Sequence, residues 1–108
     1  MKLSIIIPVY NEEQTIESLI NKVINNNYQN KEILIIDDFS KDKSINKINL
    51  FKELNIIKII QHNKNKGKGA CLRTASEYVT GDICLIQDGD LEYDPKEHTR
   101  LIKPILDG

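Results

Sequence analysis

The chain has 108 residues, of which 40% are hydrophobic and 29% are charged, and this composition suits one globular domain, residues 1–108, with one modest core. The formal net charge is -1, so no overall positive field attracts nucleic acid, and we expect no nucleic-acid partner. No apolar run approaches the roughly 20 residues that span a bilayer, and the first ten residues lack the layout of a signal peptide, so we expect a cytoplasmic location.

Four short runs rich in isoleucine predict β-strands. They cover residues 3–9, 32–37, 55–61 and 82–87. Each run is almost continuously apolar, which is typical of strands that are buried on both faces of a parallel sheet.

A helical pattern follows each predicted strand. The first helix has one apolar stripe: Ile16, Leu19, Ile20, Val23 and Ile24. The second is weaker, with Ser40 as candidate N-cap and a stripe of Ile45, Ile48 and Phe51. The third begins near the glycines of KGKGA, ends before Gly81 and buries Cys71, Ala75, Tyr78 and Val79. The fourth begins at Asp94 and Pro95 and buries Leu101, Ile102, Ile105 and Leu106.

This alternation predicts an α/β fold, a mostly parallel sheet with helices on both faces. In such a sheet, ligands bind beside the carboxyl ends of the strands, where the strand order reverses. The four predicted strands run into PVYNEE, DDFS, HNKNKGKG and QDGDLE. We therefore expect these polar segments to share one rim of the sheet, which is the predicted ligand site.

Two adjacent carboxylates, Asp37 and Asp38, end the second strand. They could simply end the strand and cap the next helix, but a single cap needs only one carboxylate. The functional interpretation is that one of them accepts a hydrogen bond from a ring N–H of a bound base.

The segment after the third strand is basic and has two glycines at a helix start. Backbone N–H groups there can approach an anion, and the helix dipole favours negative charge. The segment matches neither the dinucleotide fingerprint, because Leu72 replaces its third glycine, nor a P-loop. We favour contact with a phosphate over a solvated basic loop. The residues concerned are Lys64, Lys66, Lys68 and Arg73, around Gly67 and Gly69.

Acidic residues at alternate positions follow the fourth strand. Asp88 and Asp90 are two apart, so in extended chain their carboxylates converge, and Glu92 could add a third ligand. Converging carboxylates suit Mg²⁺ or Mn²⁺, which also bind the oxygens of a diphosphate. A calcium loop of EF-hand type fails, because a tyrosine and a threonine replace its glycine and its closing glutamate. An acidic turn that caps a helix through Asp94 explains only one of the four acidic residues.

The cysteines and histidines carry weaker signals. Cys71 and Cys84 form no CxxC pair, and we interpret them as small buried residues rather than as a disulfide or redox pair. His62 and His98 belong to no nucleophile pattern, and we interpret both as surface or loop residues, with His62 beside a ligand as the alternative.

Four ordered segments, SIIIPVYNEE, IIDDFSKDKS, NKGKGACLRTA and LIQDGDLEYDP, resemble the N-terminal half of family 2 glycosyltransferases. The nearest subgroup is the dolichol-phosphate mannosyltransferase-like enzymes, which act on polyprenyl phosphates. The resemblance covers essentially the whole chain. It implies the Rossmann-like GT-A fold, a GDP- or UDP-linked sugar as donor, and a divalent metal, Mg²⁺ or Mn²⁺, as cofactor.

The resemblance also implies roles for individual residues. Around the nucleotide it places Pro8, Tyr10 and Glu12, with Asp38 at the base and Lys68 near the phosphates. Asp88 and Asp90 would form the DxD motif that contacts ribose and metal, and Glu92 matches a position that can add a metal ligand. Gly89 stands where the subgroup usually has alanine, a mild departure.

Family members continue well past this length, with the acceptor site and, where one is used, the catalytic base. We therefore assign no catalytic residue and expect the chain to be the N-terminal portion of a longer protein, one that could associate with a membrane. The implied reaction inverts the anomeric carbon, and a polyprenyl-phosphate oxygen is already anionic and needs no strong base. We expect the chain alone to bind nucleotide weakly and to transfer little sugar.

Three other interpretations fit parts of the sequence. A stand-alone, non-catalytic nucleotide-binding module is the main alternative. A phospho-receiver domain is disfavoured, because the third strand ends in QHNK and no fifth strand follows. A nucleotidyltransferase would carry its glycine-rich signature where this chain has PVYNEE. The oligomeric state is open, although a sheet with an unpaired edge strand can self-associate.

Overall fold

The computed structural model describes residues 1–27 and 29–87. In chain order the elements are β1 (Leu3–Val9), α1 (Ile16–Ile24), β2 (Lys31–Asp37), α2 (Ser44–Ile48), β3 (Ile57–Gln61), α3 (Lys68–Ser76) and β4 (Ile83–Ile86). A 3-10 turn, Asn49–Phe51, extends α2. The predicted fourth helix, His98 and the predicted metal ligands Asp88, Asp90 and Glu92 lie outside the described residues.

The four strands form one parallel sheet in the order β3-β2-β1-β4. The chain moves outward from β1 through β2 to β3 and then returns to the other side of β1 for β4. The strand order therefore reverses between β1 and β4, and the crevice of an open α/β sheet is expected at the carboxyl ends of these two strands.

Alternate residues of the buried strands point to opposite faces, and each face has its own core. The face covered by α1 and α2 includes Ile5, Ile7, Ile33 and Ile35, packed against Ile16, Leu19, Ile20, Val23 and Ile48. The face covered by α3 includes Ile6, Leu34, Ile36 and Cys84, packed against Cys71 and Ala75. The predicted α/β sheet with helices on both faces is confirmed, as is the burial of both free cysteines.

The strand boundaries differ by up to two residues from the prediction. β1 is as predicted, while β3 begins at Ile57 because the Ile57 N–H bonds to the Leu54 carbonyl in a turn. β2 begins one residue early, at Lys31. The Lys31 ammonium donates to the Ile24 carbonyl at the end of α1 (2.7 Å) and to Asn26 Oδ1 (2.8 Å), so a lysine lies in a buried position.

Two helix predictions were wrong in detail. Ser40 is not the N-cap of α2, because its hydroxyl donates to Asp37, and the Ser44 N–H in the first turn bonds to Asp42 instead. Tyr78 is not on the buried side of α3, since the helix ends at Ser76 and Tyr78 is 45% exposed. Hydrogen bonds to carbonyls three residues back tighten the chain after Ser76 and turn this ring outward.

In the part of the chain that the structure describes, no helix is both long enough and apolar enough to cross a membrane.

Candidate functional site

Three described loops leave the carboxyl edge of the sheet: residues 10–15 after β1, 38–43 after β2 and 62–67 after β3. Beyond β4, the Gln87 N–H donates to the Ile6 carbonyl (2.9 Å), and Gln87 is the last described residue. Of the predicted nucleotide residues, Pro8, Tyr10, Glu12 and Asp38 lie at this edge, and Lys68 begins α3 directly after the third loop. Asp88 lies outside the described residues.

The first two loops are held together by hydrogen bonds from backbone N–H groups to side-chain oxygens. The Asn11 N–H donates to Ser40 Oγ (2.9 Å), and the Lys41 N–H donates to Asn11 Oδ1 (2.8 Å). One residue further on, the Glu12 N–H donates to Ser44 Oγ (2.7 Å). Asn11 has a φ of 52°, a left-handed conformation that asparagine tolerates well. These contacts fix the loop that carries Tyr10 and Glu12 against the loop that carries Asp38.

Pro8, Tyr10 and Glu12 lie at the junction of β1 with its loop. Pro8 is buried and pairs with Ile36 of β2. Successive residues of β1 direct their backbone N–H and C=O groups alternately toward β4 and toward β2. The Ile6 carbonyl faces β4, so the nitrogen of Pro8, two residues later, also faces the β4 side, beyond the last described pair, Ile6 with Ile86. Proline has no N–H to donate there. Proline therefore removes a ladder donor where the strand order reverses. Tyr10 is 41% exposed, and Glu12 is half-buried.

Asp37 and Asp38 have different surroundings, although they are neighbours. Asp37 is buried in a turn, where Oδ2 accepts from the Ser40 N–H (2.9 Å) and Oδ1 from the Ser40 hydroxyl (2.6 Å). It therefore ends the strand, but neither aspartate caps α2. The next residue, Phe39, is exposed and has a φ of 62°, which is rare for a bulky side chain.

Asp38 is 3% exposed, and its carboxylate accepts three hydrogen bonds from the described residues. Oδ1 accepts from His62 Nδ1 (2.7 Å) and the Lys66 N–H (2.9 Å), and Oδ2 accepts from the Gly67 N–H (2.8 Å). Burial by itself would raise the pKa of Asp38, but these donors outweigh it and hold the pKa below its ordinary value. A carboxylate has about four acceptor positions, so the donors within residues 1–27 and 29–87 leave one position on Oδ2.

His62 lies in a loop, as predicted, but the prediction that it is at the surface was wrong, because the residue is buried. His62 is 7% exposed, and its second ring nitrogen, Nε2, lies 2.7 Å from Thr74 Oγ1 of α3. Its backbone N–H donates to the Asp37 carbonyl (2.8 Å), which continues the sheet by one residue and turns the ring inward. No sequence spacing indicates a contact between this loop residue and a helix residue twelve positions later.

The basic loop before α3 uses its amides differently from the prediction. Gly67 is the N-cap of α3 with a φ of 92°, a conformation that favours glycine. The anion that the Lys66 and Gly67 amides bind is the Asp38 carboxylate, so these two donors are already used within the protein. Lys68 is the exposed first residue of α3, and its contact with phosphates stays a prediction.

Within residues 1–27 and 29–87, one group of side chains has the spacing of metal ligands: Asp38, His62 and Cys71, whose ligand atoms lie within 4.8 Å of one another. This group does not fit a metal ion. Both ring nitrogens of His62 are in hydrogen bonds. Burial, with a smaller effect of the Asp38 and Asp37 carboxylates, raises the pKa of the Cys71 thiol to about 11, which disfavours the thiolate that a metal requires.

Comparisons with known proteins are consistent across sequence and structure. The sequence pattern of the family described as Glycosyl transferase family 2 matches residues 4–108. A dolichol-phosphate mannosyltransferase of Pyrococcus furiosus is 34% identical over 110 residues, which cover 100% of this chain and 31% of that protein. A UDP-N-acetylglucosamine--dolichyl-phosphate N-acetylglucosaminyltransferase of Methanococcus voltae is 34% identical in an alignment 121 residues long. The alignment covers 94% of this chain and 46% of that protein. The chain thus spans less than half the length of either relative.

Two solved structures have the same arrangement of elements. The mannosyltransferase PcManGT of Pyrobaculum calidifontis, in complex with GDP-Man and Mn²⁺, is 26% identical with a TM-score of 0.76, over 82% of this chain and 27% of that one. Residues 1-349 of S. aureus TarS, in complex with UDP, are 28% identical with a TM-score of 0.77, over 83% of this chain and 28% of that one. These similarities confirm the predicted fold class.

Proposed function

The chain belongs to glycosyl transferase family 2, and from this premise we propose that it forms the nucleotide-binding part of an enzyme that transfers a sugar from a nucleotide-diphosphate sugar to a polyprenyl phosphate. The relatives from Pyrococcus furiosus and Methanococcus voltae, whose names refer to dolichol phosphates, support this acceptor class. The complexes of PcManGT with GDP-Man and of TarS with UDP support the donor class.

The observation that carries the proposal is the remaining acceptor position of Asp38 at the carboxyl edge of the sheet. An ionised carboxylate accepts hydrogen bonds and donates none. Uracil and guanine present a ring N–H on the edge that pairs with another base, whereas adenine and cytosine present a ring acceptor there. Asp38 would therefore bind a uridine or guanosine nucleotide and reject the other two.

Pro8, Tyr10, Glu12 and Lys68 are proposed to complete the nucleotide site. Tyr10 offers an exposed ring beside the loop of Asp38, and such rings stack on bases. Lys68 places an ammonium group at the N-terminus of α3, where negative charge is favoured. A diphosphate bound there would meet the lysine, while the Lys66 and Gly67 amides just before the helix stay bound to Asp38.

A divalent metal is also proposed, with Asp88, Asp90 and Glu92 as its ligands. Mn²⁺ in the PcManGT complex supports a divalent ion, and the choice between Mg²⁺ and Mn²⁺ is open. The cluster of Asp38, His62 and Cys71, found within residues 1–27 and 29–87, does not fit one. The support for Asp88, Asp90 and Glu92 is their alternate acidic spacing in the sequence. When bound, such an ion neutralises charge on a diphosphate leaving group.

In this mechanism the described loops hold the donor and take no part in binding the acceptor. Binding of the base and diphosphate fixes the anomeric carbon in place, and orientation of this kind accounts for much of the rate of a transfer. An acceptor phosphate oxygen is already anionic, so the proposal needs no general base from the described loops.

The base preference can be tested by equilibrium dialysis with UDP, GDP, ADP and CDP. We expect UDP or GDP to bind at least about 10-fold more tightly than ADP and CDP, the effect of one hydrogen bond to a charged group. Asp38→Asn should remove most of that preference, whereas Glu53→Gln, on the exposed turn before β3, should not. Circular dichroism would confirm that each variant is folded. Equal binding of all four nucleotides by wild type and by Asp38→Asn would contradict the proposal.

A further inference from the structure

We propose that His62 is a positioning residue of the nucleotide site, because its ring connects Asp38 to Thr74 and so determines which acceptor position of Asp38 is left for a ligand. This inference rests on the proposed function in one respect, that Asp38 receives the base.

The three side chains form a continuous hydrogen-bonded row across the sheet edge. Asp38 follows β2, His62 follows β3, and Thr74 lies on α3. Each contact to the His62 ring is 2.7 Å long, and both Asp38 and His62 are buried. A row of this kind connects the base-binding residue to a helix, which is more rigid than a loop.

The protonation of the ring follows from its partners. The Asp38 carboxylate can only accept, so Nδ1 must carry a proton. Nε2 then accepts from the Thr74 hydroxyl in the neutral ring or donates to it in the charged ring. In either form the Nδ1–H donor occupies Oδ1 of Asp38, and the amides of Lys66 and Gly67 occupy two further positions. The one position left on Oδ2 has a fixed direction.

Without His62, the Asp38 carboxylate would keep only the hydrogen bonds from the Lys66 and Gly67 amides, which belong to one loop. Rotation about the last side-chain bond of aspartate has a broad energy minimum, so the carboxylate would be free to turn. We therefore expect loss of His62 to disorder both the acceptor position and the loop whose amides bind it.

The positioning role can be tested without any nucleotide. Nitrogen-15 NMR of the His62 ring, identified by its loss in His62→Asn, should show a proton on Nδ1. His62→Leu removes both ring contacts, whereas His62→Asn places an amide donor near the position of Nδ1. The Lys66 and Gly67 amides should exchange about 10-fold faster in His62→Leu than in wild type, and His62→Asn should recover much of this protection. An unprotonated Nδ1, or unchanged exchange in His62→Leu, would overturn the proposal.

The consequence for binding is measured by titration of the same variants with UDP and GDP in the presence of Mn²⁺. His62→Leu should bind the preferred nucleotide about 10-fold more weakly, and His62→Asn should recover most of that loss. Thr74→Val, which cuts only the outer contact, should have a smaller effect. Urea unfolding of each variant separates these effects from loss of the fold. If folded His62→Leu binds as wild type does, or if His62→Asn is as weak as His62→Leu, the proposal is wrong.

The two proposals fail in different ways. A wild-type chain that binds neither nucleotide contradicts the proposed function, while the ring protonation and the amide exchange still decide whether His62 positions Asp38. A chain that binds nucleotide with no response to His62→Leu leaves the proposed function standing and rejects the positioning role.

Discussion

Glu32 shows how a buried carboxylate is stabilised at the amino end of the sheet, away from the nucleotide crevice. Its Oε2 accepts from the Ser4 hydroxyl (2.6 Å) and the Thr80 N–H (2.6 Å), and Lys58 Nζ lies 3.3 Å from Oε1. Burial alone would raise the pKa of Glu32, but these hydrogen bonds, with Ser4 first, lower it from 4.5 to about 2. The group is therefore ionised in the folded protein over nearly the whole pH range.

This pKa predicts how stability depends on pH. Because the folded pKa lies below the unfolded value, the contribution of Glu32 is complete above about pH 4.5 and is lost as the pH falls toward 2. Glu32→Gln should lower the free energy of unfolding at pH 7 by about 1–3 kcal/mol. Urea unfolding at pH 7, 4 and 3 should show the gap between wild type and variant narrowing with acid. A gap that is constant or widens would contradict this assignment, and Glu53→Gln serves as the exposed control.

At the level of single residues, the sequence predicts the members of the site better than their contacts. The pair Asp37 and Asp38 after an apolar run indicates a polar site, but the division of roles between them depends on Ser40 and on the β3–α3 loop. His62 could not be placed, because its two partners come from segments that only the folded sheet brings together. Hydrogen bonds between distant segments are not encoded in local spacing.

At the level of the elements, Gly81 is where the chain enters β4 beside β1. Its N–H donates to Ser4 Oγ (2.9 Å), and a Cβ atom there would approach Ser4 Oγ and lie 2.9 Å from both the Lys2 carbonyl oxygen and the Ser4 nitrogen. Two of these neighbours are backbone atoms, which cannot move aside without shifting β1. Close packing at this point therefore requires glycine.

Gly81→Ala is expected to lower the free energy of unfolding by about 1–3 kcal/mol through this overpacking. Gly69→Ala is a matched control, since its Cβ would meet only Arg73 Nη1 at 3.6 Å inside α3. Alanine is favoured over glycine in a helix by about 0.5–1 kcal/mol, so this variant should be slightly more stable. Urea unfolding of both variants checks the pair, and equal effects of the two substitutions would contradict the packing argument.

The secondary structure was more predictable where burial determines it than at element ends. The apolar runs of β1 to β4 and the stripe of α1 gave the correct elements, because their apolar side chains pack into the two cores. The predicted burial on both faces is wrong for the edge strand β3, where Lys58 and Gln61 are exposed. The ends of α2 and α3 were misplaced, since local hydrogen bonds of Asp42 and of residues after Ser76 decide them. β2 can begin at the charged residue Lys31 because the Lys31 ammonium group donates a hydrogen bond to the Ile24 carbonyl at the end of α1.

At the level of the whole molecule, the parallel sheet brings the described loops of the nucleotide site to one edge. β1 and β4 are neighbours although the chain has passed through β2 and β3 between them. Residues after β1, β2 and β3 form the described part of the rim, and Asp88 is the next residue in sequence after Gln87, at the end of the described chain. Nucleotide binding by Asp38 and metal binding by Asp88, Asp90 and Glu92 are therefore proposed as one site.

Calorimetric titration of the chain with UDP and GDP, each with and without Mn²⁺, tests this single site most directly. We predict that one of the two nucleotides binds, that Mn²⁺ strengthens its binding, and that Asp90→Ala abolishes the effect of the metal. Glu53→Ala, an exposed acidic residue before β3, should leave the titration unchanged. A folded chain that binds neither nucleotide, or one whose binding is indifferent to both Mn²⁺ and Asp90→Ala, would contradict a metal-dependent nucleotide site in this chain.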